Sequence, residues 1–217
     1  MLRLARGGNA AEMPDSAAAL VPSRPSLTKL REAAAGCRAC PLWENATQTV
    51  FGAGSRSSPA MFVGEQPGDR EDIEGAPFVG PAGRVLDDAL AQAGIDRGVV
   101  YVTNAVKHFK WEPRGKRRIH AKPNWSELTA CRPWLEAELA VVRPDVLVCL
   151  GATAAQSLLG RQFRVTKQRG EWLDSDLAEH VTATIHPSAI LRQRDDDSRH
   201  KEMQAFVQDL KLVASVL

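Results

Sequence analysis

The chain has 217 residues, of which 44% are hydrophobic and 25% are charged, a composition typical of one globular domain with its own core. The formal net charge is only +2 at pH 7, so affinity for polyanions must come from a local basic patch rather than from the whole surface. No segment is apolar for long enough to cross a membrane, and the start has no apolar signal-peptide stretch, which predicts a cytoplasmic protein. A transit peptide is a weaker alternative, because Glu12 and Asp15 are acidic.

The first 24 residues are rich in Ala, Gly, Pro and Ser and predict a disordered tail before a single domain over residues 25–217. A short helix follows, with Ser26 as its N-cap, and ends at Gly36. Directly after it stands the sequence CRAC, which contains Cys37 and Cys40.

Four cysteines are present in all, and disulfides are uncommon in a cytoplasmic chain. The CxxC spacing therefore favours a metal site, in which four thiolates could hold either a 4Fe–4S cluster or zinc. Cys149 has a simpler alternative, since it lies inside the apolar sequence VLVCLG and could be an ordinary core residue. The candidate ligands are Cys37, Cys40, Cys131 and Cys149.

Short apolar segments alternate with amphipathic ones along the rest of the chain. Buried strands are predicted over residues 60–64, 99–104, 144–151 and 181–186. Helices are predicted over residues 81–95, 126–142 with Ser126 as N-cap, 152–160 and about 199–216. Apolar strands that alternate with helices predict an α/β fold of three layers, α/β/α, with a central four-stranded parallel sheet.

Polar side chains gather where these strands end, which is the edge at which parallel sheets bind ligands. The first strand runs into GEQPGD, which is neither a dinucleotide-binding motif nor a P-loop. The strand ends carry Glu65, Gln66, Asp69, Asn104, His108, His186, Ser188 and Arg192.

Three of the candidates near this edge suggest specific roles in binding, and two of them also have a structural interpretation. Phe78 could stack on a base or anchor its Gly- and Pro-rich loop. Asn104 could read a pyrimidine edge or cap a turn. His186 could donate a hydrogen bond to a leaving group, while Ser188 and Arg192 bind phosphate.

A basic run over residues 107–122 follows the second strand and contains seven Lys and Arg residues against one acid, Glu112. Within it, GKRRIH places Lys116, Arg117 and Arg118 just before His120. The run could be an arm that binds phosphates and carries an incidental histidine, or an arm that delivers His120 to a reaction.

Several of these segments together resemble the uracil-DNA glycosylase superfamily, from about residue 27 to the C-terminus. The resemblance is carried by GEQPGDREDIEGAPFVGPAGRVLD, YVTNAVKHFKW, CRPWLEAEL, VLVCLGATAAQSLLG and HPSAILR. It is strongest to the iron–sulfur family-four enzymes, which usually have Ala where Gln66 stands. The combination of GEQPG with KRRIH resembles instead the UdgX-type branch, whose loop histidine becomes covalently joined to the DNA sugar.

The resemblance implies a 4Fe–4S cluster on the four cysteines and a uracil pocket formed with Gln66, Asp69, Phe78, Asn104 and His186. It implies catalytic roles for His120, Glu65 and His186. DNA contacts are expected from Lys116, Arg117, Arg118, Ser188 and Arg192, with Asp69 and Glu71 as candidates for excluding thymine. The expected partner is uracil-containing DNA, preferably single-stranded, and the protein is expected to be a monomer.

Three alternatives remain open from the sequence. The first is a conventional glycosylase that turns over and leaves a free abasic site. The second is a non-catalytic iron–sulfur or zinc protein that only binds nucleic acid. The third is a small-molecule enzyme with a Rossmann-like fold, which the absence of GxGxxG disfavours.

Overall fold

A computed structural model describes residues 16–217, so the first 15 residues of the predicted tail lie outside it. A 3-10 helix spans Ala17–Leu20, and the Ser16 side chain accepts a hydrogen bond from the Ala18 amide. Ala17 is fully buried and packs in the main core. The predicted tail is therefore too long, because the chain is already ordered at Ser16.

The central sheet has five strands in the order β2-β1-β5-β7-β6. The four parallel strands are β1 (Ala60–Gly64), β2 (Val100–Asn104), β5 (Val146–Leu150) and β7 (His180–Thr184). They confirm the predicted parallel sheet. The fifth strand, β6 (Trp172–Leu173), adds an antiparallel edge that corrects the predicted number of four.

Helices cover both faces of this sheet, as the fully buried strands require. One face carries α1 (Leu27–Ala34), α4 (Trp125–Val142) and α5 (Ala152–Leu159), whose apolar side chains share a core with the four cysteines. The other carries α3 (Pro81–Ala93) and α8 (Asp196–Ala214). The short helices are α2 (Asp69–Glu74), α6 (Val165–Gln168) and α7 (Pro187–Leu191), with further 3-10 turns at Pro41–Glu44 and Arg97–Val99.

The N-cap of α4 differs from the prediction. Asn124 caps the helix instead of Ser126, since its side-chain oxygen accepts a hydrogen bond of 2.9 Å from the Glu127 amide. The Asn124 amide in turn donates to the Glu127 carboxylate at 2.7 Å, which completes a capping box. Pro133 lies within the helix without ending it.

The basic run forms an antiparallel hairpin rather than an irregular loop. Its strands are β3 (Trp111–Arg114) and β4 (Arg117–His120), joined by a two-residue turn in which Gly115 has φ 62°. A positive φ at such a turn favours glycine. The hairpin places His120 at the end of its second strand, beside the carboxyl edge of the central sheet.

Among residues 16–217, no helix is both long and apolar enough to cross a bilayer.

Candidate active site

A pocket of about 900 Å³ opens at the carboxyl ends of β1, β2, β5 and β7. It lies where the sheet argument predicts a ligand site. The predicted site residues that line it are Glu65, Gln66, Asp69, Phe78, Asn104, His120, His186, Ser188 and Arg192.

His120 reaches into the pocket from the hairpin and contacts Glu65 at the tip of β1. Its Nε2 lies 3.1 Å from Glu65 Oε1, and the His120 side chain is 50% exposed. The second carboxylate oxygen of Glu65 accepts a hydrogen bond from the Thr153 hydroxyl at the start of α5. Burial raises the pKa of Glu65, but the bonds from His120 and Thr153 outweigh it and lower the pKa overall. Glu65 is therefore an ionised acceptor that holds the imidazole.

His186 is the N-cap residue of α7, and its ring is fixed by a short relay of hydrogen bonds. The Ser188 amide donates to His186 Nδ1 at 3.2 Å, and the Ser188 hydroxyl lies 2.8 Å from the same nitrogen. Arg192 Nη1 donates to the Ser188 hydroxyl oxygen at 2.8 Å. Burial lowers the pKa of His186 to about 4, so the ring is neutral at pH 7. Because Nδ1 accepts an amide hydrogen, the ring proton must be on Nε2.

Asn104 ends β2 and has a polar atom without a partner. Its Oδ1 is buried and accepts no hydrogen bond from any residue of the range 16–217. A Cβ on Gly64 would lie 2.4 Å from this oxygen, so the glycine allows the amide to sit against the tip of β1. A buried acceptor without a donor is costly unless a ligand supplies one.

Phe78 stands beside His186 in a strained backbone conformation. Its φ is 57°, which is rare for a residue with a bulky side chain. The two rings are stacked with centroids 6.2 Å apart, and the Phe78 ring also lies close to Gly64. A Cβ on Gly83 would lie 1.8 Å from the Phe78 carbonyl oxygen, so the close packing of α3 holds this conformation. The aromatic face is thus fixed at one side of the pocket.

Gln66 lines the pocket, but its amide is occupied by the hairpin. Its Nε2 donates to the carbonyl oxygens of Lys110 at 3.0 Å and Ala121 at 3.1 Å, and its Oε1 accepts from the Lys110 amide at 3.1 Å. Both amide hydrogens are therefore used. The amide fastens the two ends of the segment that carries His120, and the predicted contact of Gln66 with uracil stays a prediction.

Arg118 has acidic partners within the domain, and its predicted role in binding DNA stays a prediction. Its guanidinium donates to Asp69 Oδ1 and to Asp72 Oδ2, both at 2.6 Å, and its side chain is only 21% exposed. These ion pairs tie β4 to α2. Lys116 and Arg117, at the tip of the hairpin, are exposed and have no acidic partner among residues 16–217.

The carboxylates proposed to exclude thymine have structural partners as well. Asp69 binds Arg118. Glu71 accepts hydrogen bonds from the amides of Gly68 at 3.1 Å and Gly80 at 2.8 Å, which caps α2 and secures the Phe78 loop. Only their position at the pocket wall connects them with base selection.

Leu191 is a rim residue that sequence reasoning did not single out. It lines the pocket, is 41% exposed and directly precedes Arg192. An exposed leucine beside a cation at a pocket mouth is suited to insertion between bases. The signal in the sequence was weak, because apolar residues also occur singly on ordinary surfaces.

Comparison with known proteins agrees with this geometry. A family model for the uracil DNA glycosylase superfamily matches residues 51–211. The chain belongs to the uracil-DNA glycosylase superfamily. It is 41% identical to the type-4 uracil-DNA glycosylase of Thermotoga maritima, over 75% of this chain and 82% of that one. The type-4 uracil-DNA glycosylases of Sulfurisphaera tokodaii and Pyrobaculum aerophilum are 37% and 36% identical, over 76% and 85% of their lengths.

The four cysteines of this glycosylase superfamily member are all free and buried. Burial raises the pKa of the Cys131 and Cys149 thiols to about 12, so both stay protonated at pH 7 unless a cation replaces the proton. Two thiols already accept hydrogen bonds, Cys37 from Trp134 Nε1 at 3.3 Å and Cys131 from the Lys107 amide at 3.2 Å. Such donors stabilise thiolate ligands.

The donor chemistry therefore fits a thiolate-bound metal. Among residues 16–217, however, no three potential ligands are already assembled around one point. Cys149 is the least connected of the four, since burial alone changes its pKa.

A buried polar network links the cysteine side of this glycosylase domain to the pocket. Lys107 and Glu138 form an ion pair in which both side chains are 0% exposed. Lys107 Nζ also donates to the Asn104 carbonyl oxygen at 2.7 Å. The Glu138 carboxylate accepts from Tyr101 at 2.8 Å and from Thr103 at 3.0 Å. Lys107 thus ties the backbone of Asn104 to α4, the helix that carries Cys131.

Proposed function

We propose that this protein removes uracil from DNA and then forms a covalent bond between His120 and the deoxyribose. The observation that carries the proposal is the contact between His120 Nε2 and Glu65 Oε1, 3.1 Å apart, inside the pocket that holds Asn104 and His186. An ionised carboxylate beside an imidazole at a substrate pocket is the arrangement of an activated nucleophile.

The pocket suits a single base turned out of its stack. The ring of Phe78 offers one face for stacking, and the buried Asn104 Oδ1 lacks a donor. Uracil carries an N–H at ring position 3 that would supply it, whereas cytosine has an acceptor there. A site built to bind one hydrogen-bonding edge rejects the wrong edge strongly.

His186 is placed to assist departure of the base. Its proton is on Nε2, because the Ser188 amide donates to Nδ1. When the bond between C1′ and N1 breaks, its electron pair passes to the uracil ring. A hydrogen bond from Nε2 to the ring oxygen then stabilises the developing negative charge. The neutral imidazole can donate this bond, so His186 does not need to be protonated first.

His120 captures the sugar in the second half of the reaction. One ring nitrogen forms the bond to C1′, and the imidazole proton passes to Glu65, so that charge balances. A nucleophile fixed at contact distance competes well with water because its effective concentration is high. The alkylated imidazole has no good leaving group at neutral pH, so the protein acts once. This outcome is that of the UdgX-type branch.

DNA would be held by the rim of the pocket rather than by the whole surface. Lys116 and Arg117 offer free charges for phosphates, and Ser188 and Arg192 lie beside the base-releasing histidine. Leu191 would fill the gap left by the extruded base. Extrusion costs least in an unpaired strand, so single-stranded DNA is the preferred substrate.

We further propose a 4Fe–4S cluster on Cys37, Cys40, Cys131 and Cys149, with zinc as the alternative. When bound, it would supply a structural crosslink between three distant segments. None of the four cysteines lines the pocket, so no chemical step requires the cluster.

The proposal is tested with a single-stranded oligonucleotide that contains one uracil. After mixing, denaturation with SDS and heat, the wild type is expected to give a slower band that survives, with the sugar mapped to His120 by mass spectrometry. His120→Ala should give no such band but should still release uracil with turnover, because water then completes the reaction. His200→Ala, which alters an exposed histidine on α8, is the matched control and should crosslink normally.

Each alternative predicts a different gel. A crosslink that persists in His120→Ala refutes the assignment of the nucleophile. Alkali-labile strands without a shifted band in the wild type indicate a conventional turnover glycosylase. Intact uracil together with salt-sensitive DNA binding indicates a protein that binds nucleic acid only.

A further inference from the structure

An exposed aromatic residue stands beside the pocket with a cation over its ring. Trp125 begins α4 and is 37% exposed. The guanidinium carbon of Arg161 lies 4.8 Å from its ring centroid. Lys122, three residues before Trp125, and Val165, four residues after Arg161, both line the pocket. Neither Trp125 nor Arg161 lines the pocket itself, but each is within four positions of a residue that does.

The surroundings of this pair are positively charged. Lys122, Arg161 and Lys167 are exposed, and none has an ion-pair partner among residues 16–217. The nearest acid in α4 is Glu127, which is buried and already bound to Lys110 and to the cap of the helix. The patch thus keeps its charge and attracts an anionic ligand.

A stacked pair of this kind does not by itself indicate a site. Trp172 is also 37% exposed and packs on another side chain, the ring of His180, at 4.9 Å. It lies in β6 at the edge of the sheet, and no residue within four positions of it lines the pocket. What distinguishes Trp125 is the pocket-lining Lys122 three positions away and the cations without ion-pair partners among residues 16–217.

We propose that Trp125 and Arg161 form a second nucleotide subsite, which stacks the base next to the extruded uridine. Single-stranded DNA is recognised by aromatic side chains that stack bases inside a cationic groove. Trp125 supplies the stacking surface, and Arg161 and Lys122 supply charge for the adjacent phosphate. This proposal depends on the proposed function in one respect: the ligand of the subsite is the same DNA strand whose uracil enters the pocket.

The subsite also bears on strand preference. In a duplex the neighbouring base is already stacked and paired, so it gains little from Trp125. In a single strand the neighbour is free, and stacking on the tryptophan adds affinity. The subsite therefore favours single-stranded DNA independently of the lower cost of extrusion.

The test is a binding measurement that does not depend on the chemistry. A labelled single-stranded oligonucleotide carries a tetrahydrofuran abasic analogue in place of the uridine, and its affinity is measured by fluorescence anisotropy. Trp125→Ala is expected to bind about tenfold more weakly, as the loss of one base–aromatic stack predicts. Trp125→Phe should remain within about threefold of the wild type, because it keeps a ring.

Trp172→Ala is the matched control and should bind as the wild type does. Arg161→Ala should lose affinity, whereas Arg132→Ala, which removes an exposed cation paired with Glu136, should not. Removing all nucleotides on one side of the analogue should abolish the difference in affinity between wild type and Trp125→Ala. Removing all nucleotides on the other side should leave that difference unchanged.

The proposal is overturned if Trp125→Ala and Trp172→Ala bind equally well, or if the Trp125→Ala defect persists whichever of the two flanks is removed. Circular dichroism on each variant excludes a defect in folding. Uracil release by the wild type is assayed in parallel, so a protein that binds through Trp125 but releases no uracil refutes the proposed function and not the subsite.

Discussion

At the scale of single residues, the pocket depends on polar atoms whose partners are set by the fold. The Ser188 amide fixes the proton of His186 on Nε2. Asn104 Oδ1 has no donor among residues 16–217, and Glu65 is kept ionised by His120 and Thr153. In the proposed reaction the three side chains would therefore act as a donor, an acceptor and a carboxylate.

The unpaired oxygen of Asn104 gives the first prediction at this scale. Asn104→Leu keeps the size of the side chain but removes the acceptor, so uracil loses a hydrogen bond inside a buried site. Such a loss is worth about 1–3 kcal/mol, and uracil release should fall by about 5- to 150-fold. Single-turnover rates measure it. An unchanged rate would mean that the base does not contact this amide.

The buried histidines give a pH dependence. Burial lowers the pKa of His108 to about 4, against roughly 6.5 in an unfolded chain. Between these values the unfolded chain binds more protons than the folded one. The contribution of His108 to the free energy of unfolding is therefore complete above about pH 6.5 and is lost as pH falls toward 4.

His108→Gln isolates this effect, because glutamine keeps a donor for Thr49, whose hydroxyl lies 2.9 Å from the His108 ring. Between pH 7 and pH 5 the wild type should lose about 2 kcal/mol more unfolding free energy than the variant. Urea titrations at the two pH values provide the comparison. Parallel losses in both proteins would show that His108 is not neutral in the folded state.

At the scale of elements, the hairpin β3–β4 lies outside the hydrophobic core. Gln66 holds the two ends of the hairpin, and an ion pair joins Arg118 of β4 to α2. Lys110 adds a third contact, since its Nζ lies 2.9 Å from Glu127 at the start of α4. Its own strands are mostly exposed. The position of His120 therefore depends on a few polar contacts rather than on apolar packing.

Gln66→Ala should separate the two halves of the proposed reaction. It removes three hydrogen bonds at the hairpin ends, so His120 loses its alignment, whereas Asn104, Phe78 and His186 keep their own contacts. The rate of crosslinking should fall by tenfold or more, and uracil release by less than about threefold.

The matched control for this prediction is Gln48→Ala. Gln48 also donates to two backbone carbonyls, those of Asp72 at 3.1 Å and Ile73 at 2.9 Å, but it does not touch the hairpin. It should leave both rates unchanged. Equal effects of the two variants on crosslinking would argue against a specific clamp.

The sequence predicted the buried elements well and the exposed ones poorly. β1 was placed at its observed ends, since an apolar run between Pro59 and the GEQPG turn has one interpretation. The hairpin was missed because its charged strands carry no apolar alternation, and β6 because two residues carry no pattern. The contacts of Gln66 with the hairpin were missed because its partners, Lys110 and Ala121, are distant in the sequence.

At the scale of the whole molecule, the cysteines connect parts of the chain that are far apart in sequence. Cys37 and Cys40 flank the turn after α1, Cys131 lies in α4 and Cys149 in β5. All four belong to the same core as α1 and α5. A metal on these sulfurs would fasten the N-terminal segment to the sheet.

Cys37→Ser should remove the visible absorbance expected of an iron–sulfur protein. It should also lower the melting temperature by at least about 5 °C, because a metal crosslink between distant segments is lost. Wild-type protein stripped of metal should melt at the temperature of the variant. Cys149→Ala decides whether the fourth cysteine is a ligand: retained absorbance would make it a core residue only. A colourless wild type that contains zinc would select the alternative metal.

The way in which the hairpin is fastened has a consequence for how such proteins can change. Lys110 and Ala121 meet at one side chain, so the segment between them leaves and rejoins the domain at a single point. Segments of other lengths could be spliced there without disturbing the sheet. The segment between Lys110 and Ala121 would then determine whether the sugar is captured, and the rest of the domain would determine which base is removed. Grafting this insert onto a turnover relative would be a route to a reagent that permanently marks uracil in DNA.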